Sequence, residues 1–255
     1  MTPRLLPLLA LATALAAGSA RAAEPVKVSF GPTTLEISTG HAAQSSIPLA
    51  MGYWKDEGLD VNVFGTNGST AGIQQMAAGN LTFATVGGEA LLVARAKGLK
   101  LKAVYMFARE SIYRVAIPQG SPVKSFTDLK GKAIGVPSLT DGQIPYVKGA
   151  LINVGLDPEK DVSWLATGAG APAALAVQKG DVAVYAAWDT VIANLENRGL
   201  AFTIIQPPYF NELFGNVVAV REDFLAQHPD VVEKLTARWR CAKISWPNIP
   251  TWSRN

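Results

Sequence analysis

Short apolar runs and helical stretches alternate along most of this chain. Leu59 to Phe64 alternates apolar and polar positions as a half-buried strand does, and Leu81 to Val86 is a similar apolar run. Stretches with helical spacing follow such runs, for example from Gln143 to Asn153. Strands and helices that alternate with short connections predict a parallel α/β sheet.

The second half of the chain repeats features of the first half. Gly58-Leu59-Asp60 recurs as Gly155-Leu156-Asp157, and Gly79-Asn80-Leu81 recurs as Gly180-Asp181-Val182 at nearly the same offset. A single short insertion near Pro158 reconciles the two offsets. The repeat predicts two similar α/β lobes, and a cleft between two lobes is a common place for a small ligand to bind.

The N-terminus has the pattern of a cleavable secretory signal. Arg4 precedes an apolar run from Leu5 to Ala17, and the small residues Ala20 and Ala22 follow it. The apolar run is too short to span a bilayer, which takes about 20 residues. We therefore expect residues 1–22 to be a signal peptide and the mature protein to be exported to the periplasm.

Charge and cysteine content narrow the class of protein. The chain has one cysteine, Cys241, so an intramolecular disulfide framework is excluded. The formal net charge is +3, but six of the cations lie in residues 1–22 and 238–255, which contain no acid. The charge balance of the remaining chain is negative. We therefore expect no basic face for nucleic acid or for anionic lipid.

Residue patterns typical of hydrolases and metalloenzymes are missing. The two histidines, His41 and His228, are far apart, and no Cys/His cluster has metal-ligand spacing. Gly68 to Gly72 looks like a nucleophile elbow, but its serine stands one position too early. No phosphate-binding loop and no dinucleotide fingerprint is present. The sequence predicts a protein that is not an enzyme and that holds no cofactor and no metal.

Six turns rich in Gly, Ser and Thr follow the predicted strands. In an open α/β sheet, ligands bind outside the carboxyl ends of the strands, where N–H groups at helix N-termini reach them. Each turn alone is more often a helix cap, but six in series favour a binding edge. None contains Lys or Arg, which argues against a strongly anionic ligand held by salt bridges. The turns are residues 38–44, 65–70, 85–89, 137–142, 167–172 and 186–189.

Four side chains in these turns are candidates for ligand contact, each with an ordinary alternative. His41 is a candidate ligand donor or a common loop residue. Trp188 either closes over a planar ligand or packs between the lobes. Asp141 and Asp189 either cap helices or meet a cationic group.

The segment from Pro48 to Gly98 reads PLAMGYWKDEGLDVNVFGTNGSTAGIQQMAAGNLTFATVGGEALLVARAKG. It resembles the nitrate-, sulfonate- and taurine-type substrate-binding proteins of ABC transporters, a family that includes binders of thiamine-pyrimidine precursors. The strings SPVKSFTDLKGKAIGVPS (Ser121 to Ser138) and GLDPEKDVSWLATG (Gly155 to Gly168) support the resemblance. It extends from about Val26 to Leu235, which is most of the predicted mature chain.

The resemblance implies a type II periplasmic binding protein fold, in which two Rossmann-like lobes are joined by two crossovers. Residues 23–108 and 210–235 would form lobe 1, and residues 109–209 would form lobe 2. The implied function is capture of a small molecule (sulfonate, nitrate, carboxylate or pyrimidine-like) between the lobes. A monomer would then deliver this ligand to an ABC transporter permease in the membrane by transient docking.

By motif position, the ligand-facing turns of the family fall on thirteen residues of this chain. They are Thr39, Gly40, His41, Thr66, Asn67, Gly68, Ser69, Gly87, Gly88, Ser138, Leu139, Thr140 and Trp188. The resemblance fails after about Leu235. Residues 236–255 have no helical or alternating period, so we expect an atypical tail. A truncated or frameshifted C-terminus would give such a tail.

Two other functions stay open at this point. Some relatives of the pyrimidine-precursor binders are enzymes that make this pyrimidine with a cysteine-rich iron motif, whereas this chain has one cysteine. A ligand-sensing module would use the same cleft and would differ in the membrane partner that docks on it.

Overall fold

The computed structural model of this protein describes residues 24–35 and 39–244. The sequence also predicts a short strand from Leu35 to Ser38. The end of this strand at residues 36–38, the predicted signal peptide and the last part of the predicted tail, residues 245–255, lie outside the described residues. The strands are β1 (Val26–Gly31), β2 (Leu59–Val63), β3 (Phe83–Val86), β4 (Leu101–Met106), β5 (Tyr113–Pro118), β6 (Lys132–Val136), β7 (Val162–Ala166), β8 (Val184–Trp188), β9 (Phe202–Ile205) and β10 (Val217–Arg221).

Helices connect most of these strands. They are α1 (Thr39–Gln44), α2 (Ser46–Ala50), α3 (Tyr53–Asp56), α4 (Ser69–Ala77), α5 (Gly88–Ala96), α6 (Gln143–Asn153), α7 (Ala171–Lys179), α8 (Asp189–Glu196), α9 (Glu222–Gln227) and α10 (Pro229–Ile244). Short 3₁₀ turns occur at Phe126–Leu129 and Phe210–Glu212.

The strands form two five-stranded sheets with the same arrangement. The order is β2-β1-β3-β10-β4 in the first sheet and β7-β6-β8-β5-β9 in the second. From here on, lobe 1 denotes the first sheet with its helices, and lobe 2 denotes the second sheet with its helices. In each sheet one strand is antiparallel to its two neighbours: β10 in the first and β5 in the second. The chain crosses between the sheets twice, from β4 to β5 and from β9 to β10. The predicted two-lobed α/β fold class with two crossovers is confirmed.

The helices between residues 38 and 57 differ from those that the sequence predicts. The segment expected as a turn is helix α1, and the Ser45 hydroxyl donates a hydrogen bond to the carbonyl oxygen of His41 at 2.6 Å near the end of this helix. The sequence from Ile47 to Glu57 predicts a single helix, whereas the structure has two helices there, α2 and α3. Gly52 separates them with φ of 71°, a left-handed conformation that interrupts a regular helix.

The predicted tail begins within a helix, contrary to the expectation that it has no helical period. Residues 236–244 complete α10, and Trp239 on this helix is only 6% exposed. Its ring centroid lies 5.1 Å from that of Phe107, 5.7 Å from that of Phe30 and 6.0 Å from that of Trp54. The Trp239 side chain therefore belongs to the core of lobe 1.

The Trp239 contacts predict a large effect of substitution. We expect Trp239→Ala to lower the free energy of unfolding by about 3–5 kcal/mol, because it leaves a cavity among aromatic rings. Chemical denaturation measures this loss. Leu175→Ala is the control, since Leu175 is 50% exposed on α7 and should change the value by less than about 0.5 kcal/mol. A loss at Trp239 no larger than the loss at Leu175 would contradict the assignment of α10 to the core.

Candidate functional site

Two cavities lie between the lobes, at the edge where the parallel strands of both sheets end. The larger has a volume of about 170 Å³ and is lined by Thr33, Thr34, Leu35, Asn67, Gly68, Pro137, Ser138, Asp141, Gly168, Ala169 and Trp188. The smaller, of about 20 Å³, is lined by Thr33, His41, Ser69, Ile112, Tyr113, Asp141, Gly142, Gln143, Trp188 and Asn216. Because Thr33, Asp141 and Trp188 line both, we treat the two cavities as one site and call it the cleft.

Larger cavities lie elsewhere on the molecule. One of about 440 Å³ is next to Pro118 and Lys132, at the opposite edge of the second sheet, where the parallel strands begin. Another of about 580 Å³ is a mostly apolar groove that also lies between the lobes, with α4 and α5 of lobe 1 on one side and α6 of lobe 2 on the other. The cleft is smaller than both, but it combines the carboxyl edges of the two sheets with buried polar side chains, which is the arrangement expected of a ligand site.

Six of the thirteen predicted ligand-binding residues line the cleft. They are His41, Asn67, Gly68, Ser69, Ser138 and Trp188. The other seven, which line neither cavity, are Thr39, Gly40, Thr66, Gly87, Gly88, Leu139 and Thr140. Among these, Leu139 is exposed to solvent. The buried Thr66 hydroxyl donates to the carbonyl oxygen of Pro32, which follows β1, and to that of Gly68 in its own turn.

The lobes meet at the phenol of Tyr113, the first residue of β5. Its hydroxyl lies next to Ser69 of lobe 1, since a Cβ atom added to Gly142 would be 2.0 Å from the phenol oxygen and 2.9 Å from Ser69 Oγ. The Ser69 hydroxyl accepts a hydrogen bond from the Gly87 N–H at 3.0 Å. A Cβ atom added to Gly87 would lie 2.1 Å from the phenol oxygen, and one added to Gly142 would lie 2.0 Å from it. Glycine at both positions therefore makes room for the phenol, and this is the role that the packing gives to Gly87.

A second contact joins the lobes beside the larger cavity. The Thr70 N–H donates a hydrogen bond to the carbonyl oxygen of Thr140 at 2.9 Å, and the Thr140 hydroxyl donates to the carbonyl oxygen of Asn67. Gly68 has φ of 92°, and a Cβ there would lie 2.7 Å from the Thr140 carbonyl oxygen. Thr140 thus holds the lobes together, and the structure is a closed arrangement of the two lobes.

The cleft carries no positive charge near neutral pH. Neither cavity has a lysine or arginine among the described residues that line it. Burial lowers the pKa of His41 to about 4, so its imidazole is neutral at pH 7. Burial raises the pKa of the Asp141 carboxyl to about 6, because no cation compensates its charge.

Three polar atoms of the cleft are buried without a hydrogen-bond partner. They are Trp188 Nε1 and Gln143 Oε1 from lobe 2, and Asn216 Oδ1 from lobe 1. Gln143 Nε2 donates to Asp141 Oδ2 at 3.2 Å, which fixes the orientation of the amide. Buried polar atoms usually have partners, so these three are the atoms most suited to hydrogen-bond a ligand.

Trp188 and His41 face each other across the cleft. Their ring centroids are 5.8 Å apart, and the ring planes meet at 89°, which is an edge-to-face contact. Trp188 is the last residue of β8, and His41 lies on α1 of lobe 1. Trp188 therefore both packs between the lobes and lines the cleft.

Two acids near the cleft have other roles. Glu89 is buried at the start of α5, and the Ser111 hydroxyl donates a hydrogen bond to its Oε1 at 2.8 Å. Burial raises the pKa of Glu89 to about 7. Asp189 is exposed at the start of α8 and accepts a hydrogen bond from the Thr190 N–H at 2.7 Å.

Five polar residues of the cleft escape the sequence analysis: Thr33, Thr34, Tyr113, Gln143 and Asn216. Thr33 follows β1, so the rule about carboxyl ends of strands could have found it. Gln143 is the first residue of α6, directly after a predicted turn. Tyr113 and Asn216 stand at the amino ends of the two antiparallel strands, which reach the same edge only because β5 and β10 are reversed.

Within the described part of the chain, no helix is long and apolar enough to cross a membrane. The same residues contain no group of three or more His, Cys, Asp or Glu side chains that could hold a metal ion.

Comparison with known proteins adds the family and the fold. A family model described as "NMT1/THI5 like" matches residues 47–241. The riboflavin-binding protein RibY of Chloroflexus aurantiacus is 29% identical over 191 residues, which are 74% of this chain and 54% of RibY. This chain spans 54–59% of the length of the curated relatives it matches.

Solved structures show the same fold. A protein from Bordetella bronchiseptica RB50 has a TM-score of 0.72 and 25% identity, with 84% of this chain and 69% of that chain covered. The alkanesulfonate-binding protein SsuA from Xanthomonas axonopodis pv. citri, bound to MOPS, has a TM-score of 0.61 and 18% identity. There the match covers 88% of this chain and 78% of SsuA. The chain therefore has the predicted periplasmic binding protein fold.

The Tyr113 contact gives a test based on two substitutions. We expect Gly87→Ala to lower the free energy of unfolding by about 1–3 kcal/mol, because the new methyl group overlaps the phenol oxygen. Gly87 has φ of −64°, so alanine there adds no backbone strain. In a Tyr113→Phe background the same substitution should cost clearly less, because the hydroxyl is gone. Chemical denaturation of the four proteins of this cycle measures the coupling.

Gly40→Ala is the matched control, because a Cβ there has no atom within 4 Å. It should not lower the free energy of unfolding. An equal cost of Gly87→Ala with and without the Tyr113 hydroxyl would contradict the described contact.

The buried Glu89 predicts a pH effect on stability. Its pKa is about 7 in the folded protein against 4.5 when exposed, so its stabilising contribution is complete below pH 4.5 and is lost as the pH rises through 7. Glu89→Gln should therefore gain stability relative to the wild type over this range, on the order of 3 kcal/mol. Urea denaturation between pH 4.5 and 8 measures the difference.

Glu196→Gln, at an exposed acid on α8, is the control for this series. Its difference from the wild type should not change with pH. If Glu89→Gln also showed a constant difference, the carboxyl would not be buried as the structure places it.

Proposed function

This chain belongs to the NMT1/THI5-like family, and we propose that it is a solute-binding protein that captures a small molecule between its two lobes. The proposal places the ligand in the cleft, between the carboxyl edges of the two sheets. The descriptions of RibY as riboflavin-binding and of SsuA as alkanesulfonate-binding support a binding role rather than a catalytic one.

The observation that carries this proposal is the set of buried polar atoms without partners that both lobes bring to the cleft. Trp188 Nε1 and Gln143 Oε1 come from lobe 2, and Asn216 Oδ1 comes from lobe 1. A buried polar group that lacks a partner costs about 1–3 kcal/mol. A ligand that bonds to atoms of both lobes removes this cost only when the lobes are closed, so it favours the closed state.

Export and delivery complete the proposed role. The sequence pattern of residues 1–22 supports export to the periplasm. The proposed partner is the permease of an ABC transporter, which would receive the ligand from the closed protein, acting as a monomer. The outer surfaces of both lobes would form the transient contact.

Thermal unfolding tests the proposal with a panel of sulfonates, nitrate, aromatic carboxylates, pyrimidines and riboflavin. A ligand that binds only the folded state adds about 2.7 kcal/mol at a hundredfold excess over its dissociation constant. We expect one class of compound to raise the melting temperature, and Trp188→Ala to remove most of this shift.

Thr190→Ala is the control for Trp188→Ala, because Thr190 is an exposed neighbour on α8. It should keep the full ligand-induced shift. A folded protein whose melting temperature no compound in the panel changes would contradict the proposed function.

A further inference from the structure

We propose that the hinge of this protein takes up a proton when the lobes close and releases it when they open, and that the Glu89 carboxyl carries this proton. The hinge denotes the two crossover segments, residues 107–112 between β4 and β5 and residues 206–216 between β9 and β10. Protonation of Glu89 then favours the closed state. This inference rests on the proposed function, since it requires lobes that open and close around a ligand.

The Glu89 carboxyl is buried where lobe 1 meets the hinge. Glu89 lies in the first turn of α5 and is 7% exposed. Its Oε1 accepts a hydrogen bond at 2.8 Å from the hydroxyl of Ser111, a hinge residue that is 1% exposed. Its Oε2 is buried and has no hydrogen-bond partner. An ionised carboxylate with this environment loses most of its hydration, so the surroundings favour the protonated form.

Phenols from lobe 2 and from the hinge surround this carboxyl. Tyr113 of β5 and Tyr146 of α6 belong to lobe 2, and Tyr209 belongs to the second hinge segment. Burial raises the pKa of all three phenols, and the charge of an ionised Glu89 raises it further. The hydroxyls of Tyr146 and Tyr209 are also buried without a partner. Glu89 is therefore close to groups of both lobes, and none of these phenols is a cation.

The arginine of this region is bound elsewhere. Arg114 of β5 donates hydrogen bonds to the carbonyl oxygens of Ser111 at 3.0 Å and Tyr113 at 2.8 Å. Its guanidinium lies 4.8 Å from the centroid of the Phe210 ring, so it joins the two hinge segments. Within residues 24–35 and 39–244, Glu89 forms no ion pair with a lysine or an arginine. Its negative charge is thus uncompensated in the closed arrangement.

Separation of the lobes exposes the carboxyl to water. Helix α5 of lobe 1 packs against α6 of lobe 2. The Tyr113 phenol covers the start of α5, because its oxygen lies 2.1 Å from the Cβ position of Gly87, two residues before Glu89. When lobe 2 swings away, both α6 and this phenol leave the carboxyl, and hydration stabilises its ionised form. Closure therefore takes up a proton, and opening releases it.

Linkage sets the direction and the limit of the effect. Burial raises the pKa of Glu89 to about 7 in the closed arrangement, against 4.5 for an exposed glutamate. The contribution of Glu89 to closure is therefore complete below pH 4.5 and is lost as the pH rises through 7. The difference between these pKa values limits the change in the closed-to-open ratio to about 300-fold.

Two groups of the cleft also titrate with closure, in opposite directions. Burial lowers the pKa of His41, so acid favours the exposed, charged imidazole and hence the open state. Burial raises the pKa of Asp141, so acid favours the closed state at this residue. A comparison of the wild type with a Glu89 variant cancels both contributions, because the two proteins share them.

Small-angle X-ray scattering without ligand tests the proposal, since the radius of gyration grows as the lobes separate. The samples are the wild type and Glu89→Gln between pH 5 and 8. The glutamine amide is neutral at every pH, as the protonated carboxyl is. We expect similar radii for the two proteins at pH 5. At pH 8 we expect a smaller radius for Glu89→Gln, because the ionised wild type opens.

Glu110→Gln is the matched control, because Glu110 is an exposed acid in the same hinge segment as Ser111. Its radius should follow that of the wild type at every pH. Ser111→Ala gives a second readout. Burial raises the pKa of Glu89 and the Ser111 hydrogen bond partly offsets this rise, so Ser111→Ala should move the midpoint of opening to higher pH. Circular dichroism establishes that each sample is folded.

The outcomes separate the hinge proposal from the proposed function. Equal radii of the wild type and Glu89→Gln at pH 8, or an equal effect of Glu110→Gln, would overturn the role of Glu89. So would a midpoint that Ser111→Ala leaves unchanged. In each case the proposed function stands if a compound of the thermal panel binds. A radius that neither pH nor any panel compound changes, together with an unchanged melting temperature, would count against both proposals.

Discussion

The hydroxyl of Tyr113 occupies the point where the two lobes come closest, and the geometry of the cleft depends on it. It lies against Gly87 of lobe 1 and Gly142 of lobe 2, at positions where any Cβ atom would overlap it. The phenol oxygen and Ser69 Oγ both lie within 3 Å of the Cβ position of Gly142, so the start of β5 packs against the start of α4. Because protein interiors are close-packed, this contact limits how far the walls of the cleft can approach each other and sets its volume.

The closed arrangement brings groups of opposite lobes to one cavity at an energetic cost. Asn216 is on lobe 1, whereas Asp141, Gln143 and Trp188 are on lobe 2, and three of these four residues have a buried polar atom without a partner. Such groups are satisfied by water when the lobes separate, so closure without a ligand is disfavoured. The physical role of a ligand is to supply these hydrogen bonds, and its chemistry must match them.

Much of the fold could be predicted from the sequence, because strands and helices of an α/β protein have distinct periods. Helix α6 begins and ends at the residues expected, Gln143 and Asn153. The pattern is less informative for α10, because the sequence from residue 236 onward predicts an irregular tail that would include Trp239. Its burial depends on the aromatic rings of Phe30, Trp54 and Phe107, which are distant in sequence.

The cleft was predicted only in part, for a topological reason. The rule that ligands bind at the carboxyl ends of parallel strands leads to His41, Ser69 and Trp188. It does not lead to Tyr113 or Asn216, because these residues precede strands that run in the opposite direction. Recognising them requires knowing that β5 and β10 are antiparallel, and this follows from the two crossovers rather than from any local pattern.

Hydrogen–deuterium exchange with and without a bound ligand tests the central claim most directly, namely that a ligand is held between the lobes. The account predicts slower exchange in both lobes at once, in residues 66–72 of lobe 1 and residues 138–144 of lobe 2. Slower exchange confined to one lobe, or centred on the cavity next to Pro118 and Lys132, would contradict it.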